Sequence, residues 1–328
     1  MHEEKQETIR KVILDILYAD GEPVFRIPQR NRKDKKISLF HRKTSKTFLV
    51  YSKILLRMYS MLQLGTYCTK RDIFYEAPQF YKKQETVNKA IDDLAGLLQC
   101  PSSHLGVRAS SKGLIHGDIR FILNDGTAVD CSRQGTTFIP VLDDVLSVEF
   151  QENTVFVIIE KEATFRAFIQ SDHKEQRAIA VTGKGYPCTA TRQFMNFIEK
   201  TFQPRIGILV DFDPHGYRIG LMYKKGVLDE EKDERCLTVS SAVLLGVKYE
   251  DLVRHQSLVE LALLTSRDRT IATNMAGKIK NSSSLQEFFS EITAMLGLGK
   301  KAELQAICDK ETGQLPPGFI SEKLHELF

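Results

Sequence analysis

The chain has 328 residues, 42% hydrophobic and 27% charged, which is enough for two domains that each bury a core. Its 46 basic and 42 acidic residues leave a net charge of +4, compatible with nucleic-acid binding but no demonstration of it, because only local clustering makes an electrostatic footprint. No apolar run is long enough to span a bilayer and Met1–Lys5 has no apolar signal core; the six cysteines are scattered with no Cys-x-x-Cys pair, which argues against zinc and for reduced intracellular thiols.

The most basic stretch, Arg30-Asn31-Arg32-Lys33-Asp34-Lys35-Lys36, reads as a solvated turn, with a phosphate-contacting or nuclear-import segment as the alternative. From Lys46 to Leu64, Phe48, Tyr51, Ile54, Leu55, Met58 and Leu62 recur at helical spacing. A second helix is expected from about Thr69, a suitable cap, and carries Arg71 to Tyr75. Ala77-Pro78-Gln79 breaks it, since proline disfavours helix at the preceding residue. A third helix starts near Lys83 or Gln84, with Val87, Ile91, Leu94 and Leu98 on its inner face. Leu114–Leu123 and Thr127–Cys131 then read as strands around the hairpin turn Asn124-Asp125-Gly126. Helix, break, helix and hairpin is the order of a winged helix-turn-helix, expected over residues 1–140; a helical bundle beside an unrelated hairpin has the same order.

The stretch after Pro140, with Asp143-Asp144, is read as the link to a second domain over residues 145–328. There strands alternate with helices: Val155–Ile159 before Ala163–Ile169, Ala178–Thr182 before Thr191–Thr201, and Ile206–Val210 before about Tyr217–Lys224. That alternation means a parallel sheet with right-handed crossovers, so the fold class is mixed α/β. The tail is expected to be mostly helical, including Leu285–Leu296 and Lys300–Cys308.

Glu160 ends one apolar strand, and Asp211 and Asp213 follow another, which puts acids at the carboxyl edge of the sheet where open α/β folds place ligands. Hard oxygens gathered there favour Mg²⁺, provided the two strands are close neighbours; the plain alternative for a strand-end acid is a charge at a helix N-terminus. Tyr75 needs help to act as a nucleophile, because a free phenol with a pKa of about 10 is protonated at neutral pH. Arg71, four residues earlier on the same helical face, can steady a phenolate or grip a phosphate; a core tyrosine beside a surface arginine is the alternative. Together these residues suggest tyrosine attack on a nucleic-acid phosphodiester, assisted by metal. Gly183-Lys184-Gly185-Tyr186-Pro187 lacks the G-x-x-x-x-G-K-[ST] spacing of an ATP-binding loop and reads as a turn, one that can set Lys184 and Tyr186 beside nucleic acid. Lys112 in Ser111-Lys112-Gly113 is either a phosphate contact or a solvated lysine, and His215 is read as a loop residue rather than a ligand.

Thr69–Tyr75, Ser111–Ile115, Ile158–Phe165, Thr182–Pro187 and Leu209–Gly216 stand in the order of one family, and the match continues through Leu264–Asp268 and Gly299–Ala306. The chain resembles the meiotic double-strand-break transesterases, eukaryotic relatives of the topoisomerase VI A subunit. The resemblance implies a winged-helix domain carrying the nucleophile Tyr75 with Arg71 beside it. It also implies a Toprim domain in which Glu160, Asp211 and Asp213 hold Mg²⁺ and Lys112 and Tyr186 touch DNA. It further implies double-stranded DNA as substrate, a homodimer with a composite site, a topoisomerase VI B-like partner with accessory meiotic proteins, and the nucleus as the place of action. The competing readings are a topoisomerase VI-type A subunit that works with an ATPase, a catalytically idle DNA-binding scaffold, and a hydrolytic or primase-like Toprim enzyme. Cys188 and Val227 depart from the family, which commonly has an acid and a serine there.

Overall fold

The computed structural model describes residues 2–17, 22–29, 33–108, 111–171, 177–226, 237–255, 261–307, 316 and 318–327. Arg30–Arg32 of the basic stretch and Val227 lie outside these. The chain divides into two compact units, residues 1–110 and 111–328.

The first unit opens with α1 (His2–Leu17) and the antiparallel pair β1 (Val24–Ile27) and β2 (Lys35–Ser38), which turn Phe25, Ile27 and Ile37 inward. Next comes α2 (Ser45–Leu64), and all six residues read at helical spacing are buried along it. Gly65 ends the helix at φ 62°, a left-handed conformation that glycine adopts without strain. β3 (Cys68–Thr69) pairs in parallel with β4 (Val107–Arg108), and between them run α3 (Lys70–Glu76), α4 (Pro78–Tyr81) and α5 (Gln84–Leu97). Val87, Ile91 and Leu94 of α5, with Leu98 just beyond its end, are buried as their spacing predicts.

In the second unit, β5 (Leu114–His116) and β6 (Ile119–Leu123) replace the single strand expected over Leu114–Leu123. Gly117 at φ 136° breaks the run, so the two halves enter different sheets. β6 pairs with β7 (Ala128–Asp130) across the expected hairpin, whose Gly126 adopts φ 83°. α6 (Cys131–Gln134) and β8 (Thr137–Phe138) lead to β9 (Val145–Phe150), which takes the other edge of β6. Asp143 and Asp144 are not a free link, because their carbonyls accept from Asn124 Nδ2 at 2.7 Å and Asn124 N at 2.9 Å. The second unit thus starts at residue 111 rather than at 145, for β5 pairs antiparallel with a strand of the main sheet.

That sheet is built from β10 (Val155–Ile159), α7 (Glu162–Gln170), β11 (Ala178–Thr182), α8 (Thr189–Phe202), β12 (Arg205–Leu209), α9 (Pro214–Lys224) and β13 (Val243–Gly246). Its order is β13-β12-β10-β11-β5-β8, with the first four strands parallel. All five residues of β10 are buried, as a strand covered on both faces requires. α9 begins earlier than expected, because Asp213 caps it and Pro214 suits the first helical position.

The remainder comprises α10 (Tyr249–Arg254), β14 (Ala262–Leu263), α11 (Ser266–Ile279), α12 (Gln286–Leu298), β15 (Lys300–Lys301) and α13 (Phe319–His325). Of the helix expected over Lys300–Cys308, the last residue lies outside the described residues, and Lys300–Ile307 is instead β15 followed by a 3₁₀ turn at Leu304–Ile307. The donors that would close a helix go elsewhere: Ala302 N donates to Phe212 O at 3.0 Å and Leu304 N to Asp211 Oδ1 at 2.9 Å. Among the described residues, no helix is long and apolar enough to cross a membrane.

Candidate active site

In the first unit the site residues lie on α3. Thr69 and Asp72 form a reciprocal cap at its start: Thr69 N donates to Asp72 Oδ2 at 2.8 Å and Asp72 N to Thr69 Oγ1 at 3.2 Å. Ile73 is the helix's buried anchor, and ion pairs brace each end, Lys70 with Asp92 at 2.5 Å and Arg57 with Glu76 at 2.9 Å. A short helix held this way presents its other face to solvent. Arg71 is exposed on it and Tyr75 is 64% exposed, its ring 5.5 Å from that of Phe74. The structure therefore removes the reading of Tyr75 as a core residue. Arg71 and Tyr75 share the exposed side of one helix, which is the arrangement their spacing predicts.

In the second unit the acids gather at the carboxyl edge of the sheet. β10 and β12 are adjacent parallel strands with Ile159 opposite Leu209, so the condition for bringing Glu160 near the Asp211 loop is met. Glu160 N donates to Leu209 O at 3.1 Å, and Glu160 Oε2 accepts from Asp211 N at 3.0 Å. Burial, with the nearby charge of Asp211, pushes the Glu160 carboxyl up to about 8. Asp211 is 1% exposed and both its oxygens are engaged: Oδ1 takes Leu304 N, and Oδ2 lies 2.5 Å from Lys161 Nζ. Burial raises its pKa, and Lys161 opposes that rise. Asp213 Oδ1 accepts from Gly216 N as the cap of α9. Gly216 is required here, because a Cβ would lie 2.6 Å from Asp211 O and 2.8 Å from Glu160 Oε2.

Two further segments close on this edge. Gly185 N donates to Glu160 O at 2.8 Å, which holds the Gly183–Pro187 turn against β10. Within the turn Lys184 adopts φ 55°, and its ammonium sits 3.3 Å from Glu162 Oε2 and 5.4 Å from the Phe138 ring centroid. Tyr186 OH lies 3.1 Å from His215 Nδ1, tying this turn to the start of α9. Burial raises the Tyr186 pKa, with Asp213 and Glu160 adding to it. Lys112 is exposed, and Cys188 occupies the N-cap position of α8. Although burial opposes it, the Cys188 thiol is held below its ordinary pKa by hydrogen bonds from Thr191 and from the backbone of Lys112 and Gly113.

The second segment is the 302–305 strap, and reading the sequence for ligands missed it. Lys161 Nζ bridges Asp211 and Glu303 at 2.5 and 3.2 Å, and Gln305 Nε2 donates to Thr164 Oγ1 at 2.9 Å. Lys161 stands next to Glu160 in the chain, and that adjacency was the available signal. Glu303 is far off in sequence and only the fold brings it in.

Among the described residues no three acid, histidine or cysteine side chains converge as a ready metal cage. Lys161 draws Asp211 to one side and the α9 cap draws Asp213 to another. The donor set nonetheless suits a hard divalent cation. It is all oxygen, its buried Glu160 is disfavoured as an anion by burial and its neighbours, and Lys161 already acts as a stand-in cation at Asp211.

Comparison with known proteins adds to this geometry. The family model for the Toprim domain of Spo11 and the topoisomerase 6 A subunit matches residues 155–324, and that for type IIB DNA topoisomerase matches residues 46–107. The chain is similar to the meiotic recombination protein SPO11 of Mus musculus, 30% identical over 321 residues, covering 94% of this chain and 78% of that protein. It is 31% identical to the protein of the same name from Homo sapiens over 302 residues, covering 88% of this chain and 74% of that one. Similarity extends to the A3 subunit of DNA topoisomerase 6 from Oryza sativa subsp. indica, 28% identical over 290 residues, 86% of this chain and 64% of that protein. With a parallel sheet carrying acids at its carboxyl edge and a family model spanning more than half of its length, the chain belongs to the family of Spo11 and the topoisomerase 6 A subunit.

Proposed function

We propose that this protein is a DNA transesterase that breaks duplex DNA through a 5′-phosphotyrosyl intermediate and so initiates meiotic recombination in the nucleus. The observation that carries the reading is Tyr75, a large aromatic held in solvent on a rigidly capped helix with Arg71 on the same side. Tyr75 Oη attacks a backbone phosphorus and gives up its proton as the O–P bond forms. The P–O3′ bond breaks, O3′ takes a proton, and the 5′ phosphate stays esterified to Tyr75. Because that ester conserves the bond energy, the break is reversible without ATP. Arg71 grips the phosphate and spreads the charge that develops on it. Glu160, Asp211 and Asp213 would hold Mg²⁺, which supplies positive charge to the transferring phosphoryl group.

Lys112, Lys184 and Tyr186 are proposed DNA contacts, directed mainly at the backbone, so binding falls steeply with salt. The functional form is a homodimer in which Tyr75 of one protomer serves the acids of its partner, so that two sites cut two strands. A topoisomerase VI B-like partner and accessory meiotic proteins complete the assembly. The second reading, the strand-passing A component of a topoisomerase, is favoured by the likeness to the rice A3 protein and needs that ATPase partner. Both readings give the same first test. End-labelled duplex is incubated with protein and Mg²⁺, denatured, and examined for DNA attached to Tyr75. An adduct that disappears in Tyr75→Phe supports the transesterase. Cleavage that survives Tyr75→Phe points to a hydrolytic Toprim enzyme, and salt-sensitive binding with no adduct in the presence of the B-like partner points to a scaffold.

A further inference from the structure

We infer that Lys161 is a tethered cation that competes with the divalent ion for Asp211 and is handed to Glu303 when that ion binds. The inference rests on the metal reading above and deepens it. Glu160 and Asp211 are both buried at one sheet edge, 7% and 1% exposed, and the Asp211 N–H to Glu160 Oε2 hydrogen bond holds them together. Burial of two neighbouring carboxyl groups is eased by a cation set against one of them. The Lys161 ammonium stands there, 2.5 Å from Asp211 Oδ2 and 3.2 Å from Glu303 Oε2.

An ammonium and a divalent ion cannot both sit against the same carboxylate oxygen without strong repulsion. Lys161 must therefore leave Oδ2 when the ion takes it, and Glu303 is placed to receive it. Its Oε2 is already 3.2 Å from Lys161 Nζ, so the transfer is a side-chain rotation with no backbone movement. Lys161 is 33% exposed and Glu303 65% exposed, which leaves room for that rotation. Asp211 stays oriented throughout by the Leu304 N–H on its other oxygen. Lys161 is thus a positioning residue: it sets how readily the ion enters, and it keeps the clustered acids from driving one another apart.

The test measures Mn²⁺ binding to the full chain by the loss of the free-ion electron paramagnetic resonance signal, with no DNA and no turnover. Lys161→Met removes the competitor and is expected to tighten Mn²⁺ binding about fivefold, the scale of a partly exposed charge pair. Glu303→Gln strands the ammonium on Asp211 and is expected to weaken binding by about threefold on the same scale. The double variant is expected to match Lys161→Met alone, because Glu303 acts through Lys161. Additive effects in the double variant, or unchanged affinity in Lys161→Met, overturn the inference while Glu160-dependent binding leaves the metal reading standing. No binding by the native chain, or binding insensitive to Glu160→Gln, overturns both.

Discussion

The backbone N–H of Asp211 donates to Glu160 Oε2 at 3.0 Å, so the acid at the end of one strand is oriented by the main chain at the end of its neighbour. Glu160 is held twice, its backbone N–H by Leu209 O at the end of β12 and its side chain by the first amide of the acid loop.

Tyr75→Phe is expected to abolish the covalent DNA adduct while changing stability by no more than about 0.5 kcal/mol, since the hydroxyl is on an exposed residue with Ile73 as the buried anchor. Paired adduct assays and urea denaturation check both halves.

Glu160 gives a pH dependence of definite sign. Its carboxyl is raised from 4.5 to about 8 in the folded chain, so the folded state holds a proton that the unfolded state releases between those values. The stability it contributes is complete below pH 4.5 and is lost as pH rises toward 8, by at most about 1.4 kcal/mol per pH unit. Thermal melts of metal-free protein should show that decline, and Glu160→Gln should flatten it. Equal slopes in the two proteins would rule out Glu160 as its source.

Gly216→Ala tests the close packing of the acid loop. The new methyl would lie 2.6 Å from Asp211 O and 2.8 Å from Glu160 Oε2, so the loop must move. A loss of about 1–3 kcal/mol is expected, together with weaker Mn²⁺ binding. Gly277→Ala is the control, because a Cβ there meets nothing within 4 Å.

The C-terminal helix is tied to the segment beside the same edge. Lys323 on α13 is buried, 2.7 Å from Asp251 Oδ1 and 2.8 Å from Glu326 Oε1, and Asp251 Oδ2 accepts from Lys248 N. The adjoining Gly246 and Val247 hydrogen-bond both sides of Val210, the residue before Asp211. Lys323→Met leaves Asp251 as an uncompensated buried charge and should cost about 3–5 kcal/mol in urea denaturation. Lys323→Met with Asp251→Leu should recover part of that loss.

Cys188→Asp should fold at least as well as the native chain. The donors that lower the thiol pKa, Thr191 with the backbone of Lys112 and Gly113, would serve a carboxylate at the α8 cap. A gain of about 0.5–1 kcal/mol is expected, and thermal melts above and below pH 4 would show it only at the higher pH.

The sequence by itself determined the local elements. Apolar spacing set the buried faces of α2 and α5, the unbroken run Val155–Ile159 made a strand covered on both sides, and Thr69 marked the start of the helix bearing Tyr75. It also picked out Glu160, Asp211 and Asp213, because acids closing buried strands are visible as a pattern. These signals are short-range, set by backbone periods and caps that act over a few residues. Only the tertiary structure decided that β10 and β12 are neighbours, that β5 joins the main sheet, and that residues 302–305 form a strap rather than a helix. Lys161 and Glu303 enter the site for the same reason: their partner Asp211 is remote in sequence, and the hydrogen bonds and charges that select them exist only once the sheet has formed.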